Sequence, residues 1–189
     1  RRWVMPVELS ASTLGQLQAA RPAGLETEVF VYGRLPLAFS ARCFTARAHN
    51  VPKDQCELRC LDDPNGLPLA TQEGQELFTV NGIQLQSQAP TNLIGALPKL
   101  QRMGVEVVRI SPEDPTGQDT ERVLRAFHRV LDRQATPEAV LQGMEKQPRV
   151  EWCNGYWHGT AGMDWGAPEP ELEPEATEGL PDSVSHAHD

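Results

Sequence analysis

A chain of 189 residues, 39% hydrophobic and 23% charged, has the length of one ordinary domain and the balance of a soluble globular one. Its longest apolar runs, such as 29–32 and 105–110, are strand-sized and far short of the ~20 residues of a membrane-spanning helix. The net charge of −9 lies mostly in residues 166–189, whose five Glu, two Asp and no Lys or Arg carry −7 and leave −2 for the rest, so the body lacks the basic footprint of a nucleic-acid binder.

In chain order, residues 4–9 read as a buried strand. The chain thus opens inside an element, with no initiator Met and no signal peptide, and reads as a fragment whose N-terminal half is missing. Ser10 to Thr13 offer capping hydroxyls for a helix carrying Leu14, Leu17 and Gln18, which Pro22 and Gly24 stop. A strand over 28–32 ends at Gly33, completing a strand–helix–strand unit of the length of a parallel crossover. Beyond the cysteines, Asn81-Gly82 between alternating runs 76–80 and 83–87 predicts a type I′ hairpin. A helix over 92–103 ends at Gly104, and a strand follows over 105–110. Then comes an amphipathic helix with Val123, Leu124, Phe127, Val130 and Leu131 on one face, and a short helix opened by Thr136 and Pro137. This alternation predicts an α/β fold: the C-terminal portion of a TIM-like parallel α/β barrel over residues 1–165, with a β-hairpin insertion, followed by a disordered acidic tail over 166–189. An open doubly wound sheet is the alternative.

The chemistry is concentrated in Cys43-x12-Cys56-x3-Cys60, just past the end of the strand at 28–32, where parallel α/β folds collect ligands. Three thiols within 18 residues, without a secretory signal, point to a cytoplasmic metal site in preference to disulfides. Iron–sulfur clusters and zinc both take cysteine thiolates, and the spacing does not separate them, although the paired Cys-x2-Cys knuckles of zinc ribbons are absent. Cys153 is the obvious fourth candidate in the chain but stands alone, as a small packed residue does; His49 and His158 have no spacing in their favour.

The stretch Glu28-Val-Phe-Val-Tyr-Gly-Arg-Leu-Pro-Leu-Ala-Phe-Ser-Ala-Arg-Cys43 resembles the signature of the collagenase-like peptidase family, roughly Glu-x-Phe-x-x-Gly-Ala-Leu-Cys followed by Ser-Gly-x-Cys. Pro36 stands where most members carry the first Cys, and Ala41 replaces the usual Gly. The UbiV-like subgroup looks like this, with Cys43, Cys56 and Cys60 at the same spacings, and the closing stretch Cys153-Asn-Gly-Tyr-Trp-His158 with Gly162-Met163 resembles its C-terminal end. The resemblance implies a barrel and a 4Fe–4S cluster on Cys43, Cys56 and Cys60, with the fourth Cys ligand in the missing N-terminal half. It also implies a heterodimer with a UbiU-like protein that hydroxylates a ubiquinone precursor without dioxygen. That hydrophobic precursor is reached directly or through a lipid-binding accessory protein. Alternatives are a zinc-stabilised binding module and an RNA-base hydroxylase of the same family, the latter disfavoured by the near-neutral body. Proteolysis has no Ser-His-Asp, Cys-His or His-Glu-x-x-His pattern behind it, and no catalytic residue is assigned.

Leu37, Phe39 and Phe44 are candidates for an apolar pocket near the cluster, and core packing explains them as well. Tyr156, Trp157 and His158 could line a pocket or a partner surface but read in preference as a strap packed over the fold; Asp62 to Gly66 read as turn chemistry rather than a cation site, Glu8 and Glu28 as strand-end ion-pair partners rather than acid–base groups, and His186 and His188 as inert rather than weakly metal-binding.

Overall fold

The computed structural model describes residues 1–112, 117–145 and 151–166. The acidic stretch expected to form a tail, with His186 and His188, lies outside the described residues apart from its first position.

The described strands form one mixed sheet of six organised around a single long strand. The order of elements is β1 (Arg2–Val4), α1 (Ala11–Ala20), β2 (Glu26–Phe39), α2 (Phe44–Ala48), β3 (Leu67–Ala70), β4 (Glu76–Asn81), β5 (Gln84–Asn92), α3 (Leu97–Arg102), β6 (Val107–Ser111), α4 (Gln118–Leu131), α5 (Pro137–Glu145) and α6 (Gly155–His158). Glu28 pairs in parallel with Val4 of β1 and Val107 of β6, so these two strands flank the first half of β2 on opposite edges. Tyr32 and Gly33 pair with both β6 and β5, which places the antiparallel β5 on the same edge as β1, end to end with it. The first half of β2 is therefore the middle of a parallel trio, and its second half carries the antiparallel meander β5-β4-β3.

Burial follows that division. From Thr27 to Leu35 β2 is almost continuously buried, as expected of an inner parallel strand covered on both faces, and by Phe39 it is exposed. Val29 and Val31 pack in one cluster with Leu14 of α1, Leu97 and Leu100 of α3, Phe127 and Val130 of α4 and Leu141 of α5. Tyr32 meets Phe127 edge-on, with ring centroids 5.8 Å apart at 76°. Leu124, which the helical pattern placed with this face, is on the exposed side of α4.

Several helix boundaries follow from caps visible in the sequence. Ser10 Oγ accepts the Thr13 N–H at 3.3 Å at the start of α1, and Thr136 Oγ1 accepts the Ala139 N–H at 3.3 Å at the start of α5.

A closed parallel barrel is absent among the described residues: the sheet is open. The physical reason is β2, which does not stop at Gly33 but runs on to Phe39 and recruits antiparallel partners there. The insertion is correspondingly a three-stranded meander rather than a lone hairpin. Its turn is shifted by one residue from the expected register. Asn81 pairs with Gln84, so the two-residue loop is Gly82-Ile83, with φ of 58° at Gly82 and no positive φ at Ile83, the geometry of a type II′ turn that wants Gly in its first position. The buried strand expected over 4–9 is instead the three-residue edge strand β1, because Pro6 removes the ladder donor that would continue it. Among the described residues no helix is long and apolar enough to cross a membrane.

Candidate functional site

The cysteine loop leaves from the carboxyl end of β2 and is clipped at once to the β4–β5 turn. The Ser40 N–H donates to the Ile83 carbonyl at 2.8 Å and the Phe44 N–H to the Gly82 carbonyl at 2.9 Å. The Gly82 N–H in turn donates to the buried Thr45 Oγ1 at 3.1 Å. These bonds fix Cys43, which is the N-cap of α2. Its Sγ accepts the Ala46 N–H at 3.4 Å, the task that a Ser or Thr oxygen performs at most helix starts.

Cys56 and Cys60 sit on two short 3-10 turns, Lys53–Gln55 and Arg59–Leu61, at the C-cap of the first and inside the second. Between them Glu57 and Leu58 have φ of 51° and 56°, a left-handed conformation that side chains with a Cβ adopt at a cost. The second turn packs against α2, and His49 Nε2 lies 3.5 Å from Asp63 Oδ2, joining the end of that helix to the far side of the loop. Arg34 on β2 donates to the Asn65 carbonyl at 2.8 Å and ties the end of the loop back to the sheet.

All four cysteines are free thiols, so the disulfide alternative finds no pair. Cys43, Cys56 and Cys60 are half-buried and share one loop, yet among the described residues no three His, Cys, Asp or Glu side chains are grouped so as to hold a metal ion. The donor chemistry suits a thiophilic metal or an iron–sulfur cluster, since all three are free thiols and only partly buried; their present positions are those of a loop rather than of a finished chelate.

Cys153 belongs to a different part of the molecule. It forms an isolated parallel bridge with Thr91 and exchanges backbone bonds with β5, its N–H donating to Pro90 O and its carbonyl accepting the Asn92 N–H, both at 3.0 Å. Thr91 Oγ1 also donates to that carbonyl at 3.0 Å. Burial pushes the Cys153 thiol up to about 11, so it is a protonated, packed sulfur, as its solitary place in the sequence suggested.

Glu28 is held by cations on both flanking strands, Arg2 at 3.3 Å and Arg109 at 2.5 Å, which makes it a strand-to-strand tie and not an acid–base group. Of the three pocket candidates, Leu37 lines a cleft with Trp152, Tyr156 and Trp165, whereas Phe39 and Phe44 are exposed beside the cysteine loop. The aromatic closing stretch was the available signal for that cleft: Tyr156 lines it, the pocket role weighed for this stretch beside the preferred strap.

The model of peptidase family U32 matches residues 1–166. No solved structure matches the chain.

Proposed function

Because the chain belongs to peptidase family U32, the collagenase-like family, we propose that it is part of a UbiV-like iron–sulfur subunit that acts with a UbiU-like partner in oxygen-independent hydroxylation of a ubiquinone precursor. Cys43, Cys56 and Cys60 hold three positions of a 4Fe–4S cluster, and a fourth donor comes from outside the described residues. When bound, such a cluster supplies one-electron transfer, or a Lewis-acidic iron if one position stays open to an oxygen-bearing group. The observation that carries this reading is the set of three free, half-buried thiols on one loop at the carboxyl end of β2.

Two further features support it. The same loop bears Leu58 and Leu61, both largely exposed, and Phe39 precedes it in the same condition; apolar side chains in that position suit a surface covered by another protein or by more of this one. The parallel trio β1-β2-β6, with α1 and α3 on its connections, is the repeating unit of a parallel barrel, and we read it as a portion of one. The setting we assign is the cytoplasm, where thiols stay reduced.

Isolation without oxygen followed by elemental analysis tests the assignment. Iron and acid-labile sulfide at roughly four per chain, with a brown colour, support it. A colourless protein with stoichiometric zinc makes the cysteine loop a structural zinc site instead.

A further inference from the structure

Between the antiparallel meander and the closing segment lies a cleft of about 720 Å³, a volume typical of small-molecule sites. Leu35 and Leu37 of β2 and Phe78 of β4 form one side, and Trp152, Tyr156 and Trp165 form the other. Trp152 and Trp165 lie against each other, centroids 5.7 Å apart and tilted by 51°.

The second wall is a built structure. Asn154 closes residues 154–166 into a loop by using both ends of its amide: Oδ1 accepts the Gly166 N–H at 2.7 Å and Nδ2 donates to the Gly166 carbonyl at 2.9 Å. The Asn154 N–H also donates to the Asp164 carbonyl at 2.8 Å. Two glycines allow this closure. A Cβ on Gly155 would meet the Ala161 carbonyl oxygen at 1.7 Å, and one on Gly162 would meet the Tyr156 ring at 2.6 Å. A wall held this way keeps its aromatic rings in place before anything binds, which lowers the ordering cost of binding.

The polar groups of the cleft define its occupant. Ser87 Oγ is already committed, accepting the Leu35 N–H at 2.9 Å and donating to the Ala89 carbonyl at 2.6 Å. Gln88 Nε2 donates to Glu76 Oε2 at 2.8 Å. Among the described residues, the charged members of the lining are Glu76 and Glu151, with no Lys or Arg, so these carboxylates repel an anion while a neutral apolar ring loses little on entry. At the mouth Met163 and Trp165 remain 54% and 40% exposed, apolar surface that an entering ring would cover.

We propose that this cleft binds a single uncharged, ring-bearing apolar molecule between the meander and the Trp152–Trp165 wall. Identifying that molecule with the ring of a quinone precursor rests on the function proposed above; the preference for a neutral apolar ring rests on the cleft alone.

The test is calorimetric titration of the 189-residue chain with 4-hexylphenol and, as the charged match, 4-hexylbenzoate. Saturable one-to-one binding of the phenol is expected, with the benzoate at least ~10-fold weaker. Met163→Glu and Trp165→Ala should each weaken phenol binding by at least ~10-fold, while Leu124→Glu, on the exposed side of α4, leaves it unchanged. Thermal melting of each variant shows whether it has kept its fold, and Met163→Glu, altering a half-exposed side chain, provides the comparison should Trp165→Ala unfold. Absence of saturable binding, equal affinity for the benzoate, or folded Met163→Glu binding as the parent does would overturn the proposal. No iron is needed for this measurement, so its failure is distinguishable from failure of the cluster assignment.

Discussion

The thiol of Cys153 donates to the carbonyl oxygen of Ala89 at 3.4 Å, which anchors this cysteine to β5, away from the loop that carries the other three. Burial raises it from its ordinary 9.0 to about 11, and at pH 8 that alone lowers its thiolate fraction about a hundredfold. In the metal-free chain under native conditions iodoacetamide should therefore label Cys43, Cys56 and Cys60 and spare Cys153 until the chain is unfolded. Mass-spectrometric mapping of the labelled peptides reads this directly; rapid native labelling of Cys153 contradicts it.

Glu28 ties three strands through Arg2 and Arg109 while its own carboxylate is nearly buried. Glu28→Gln removes the charge that both guanidinium groups bond to, and should cost about 1.5–3 kcal/mol, the range for a hydrogen bond to a charged group. The two arginines are about half exposed and return to water, which keeps the loss below that of a fully buried pair. Urea unfolding of the variant measures the difference.

Glu106 accepts from Arg21 at 2.7 Å and from the Thr27 N–H at 2.8 Å, and the Arg21 bond is the main cause of a carboxyl lowered from 4.5 to about 2. A carboxylate depressed in the folded chain stabilises it above the unfolded value, and that contribution disappears as pH falls from about 4.5 to about 2. Glu106→Gln should lower the melting temperature at pH 7 and flatten its pH dependence between those limits. An acid limb identical to that of the parent chain would rule Glu106 out as its source.

Gly33 sits where β5 and β6 both pair with β2, with φ of 119°, and a Cβ there would meet the Ser111 carbonyl oxygen at 2.1 Å. Gly33→Ala should cost about 3 kcal/mol by forcing β6 off its register. Gly82→Ala, with φ of 58° and open space around the added methyl, should cost about 1–2 kcal/mol from the backbone alone. Comparable losses at the two sites would mean that the Ser111 contact does not govern Gly33.

What the sequence made legible was local. Ser10 and Thr136 announced their helices because a capping oxygen acts on an N–H only three residues on. The signature over 28–43 carried family membership, which the match over residues 1–166 shows. The six further residues of β2 were not legible, because Pro36 and an irregular alternation hide a strand whose pairing, with its register shifts, depends on a partner about fifty residues away. The turn at Gly82 shifted by one residue for a related reason: Asn-Gly fits a type I′ turn, but the register with β4 and the contacts to Thr45 and Phe44 select Gly82 as the first turn residue. Cys153 was correctly set apart as a packed residue from its isolation. The cleft it helps to line was anticipated only as the pocket alternative for the Tyr156 stretch, and its opposite wall was not foreseen, since the two are joined only in three dimensions.

The proposed role of Cys43, Cys56 and Cys60 as one ligand set is tested by electron paramagnetic resonance of the anaerobically isolated, dithionite-reduced protein. The parent protein and Cys153→Ala should give the same spin-one-half signal of a reduced 4Fe–4S cluster, and Cys56→Ala should lose it with the fold intact by circular dichroism. A signal that persists in Cys56→Ala, or that vanishes in Cys153→Ala alone, would contradict the assignment.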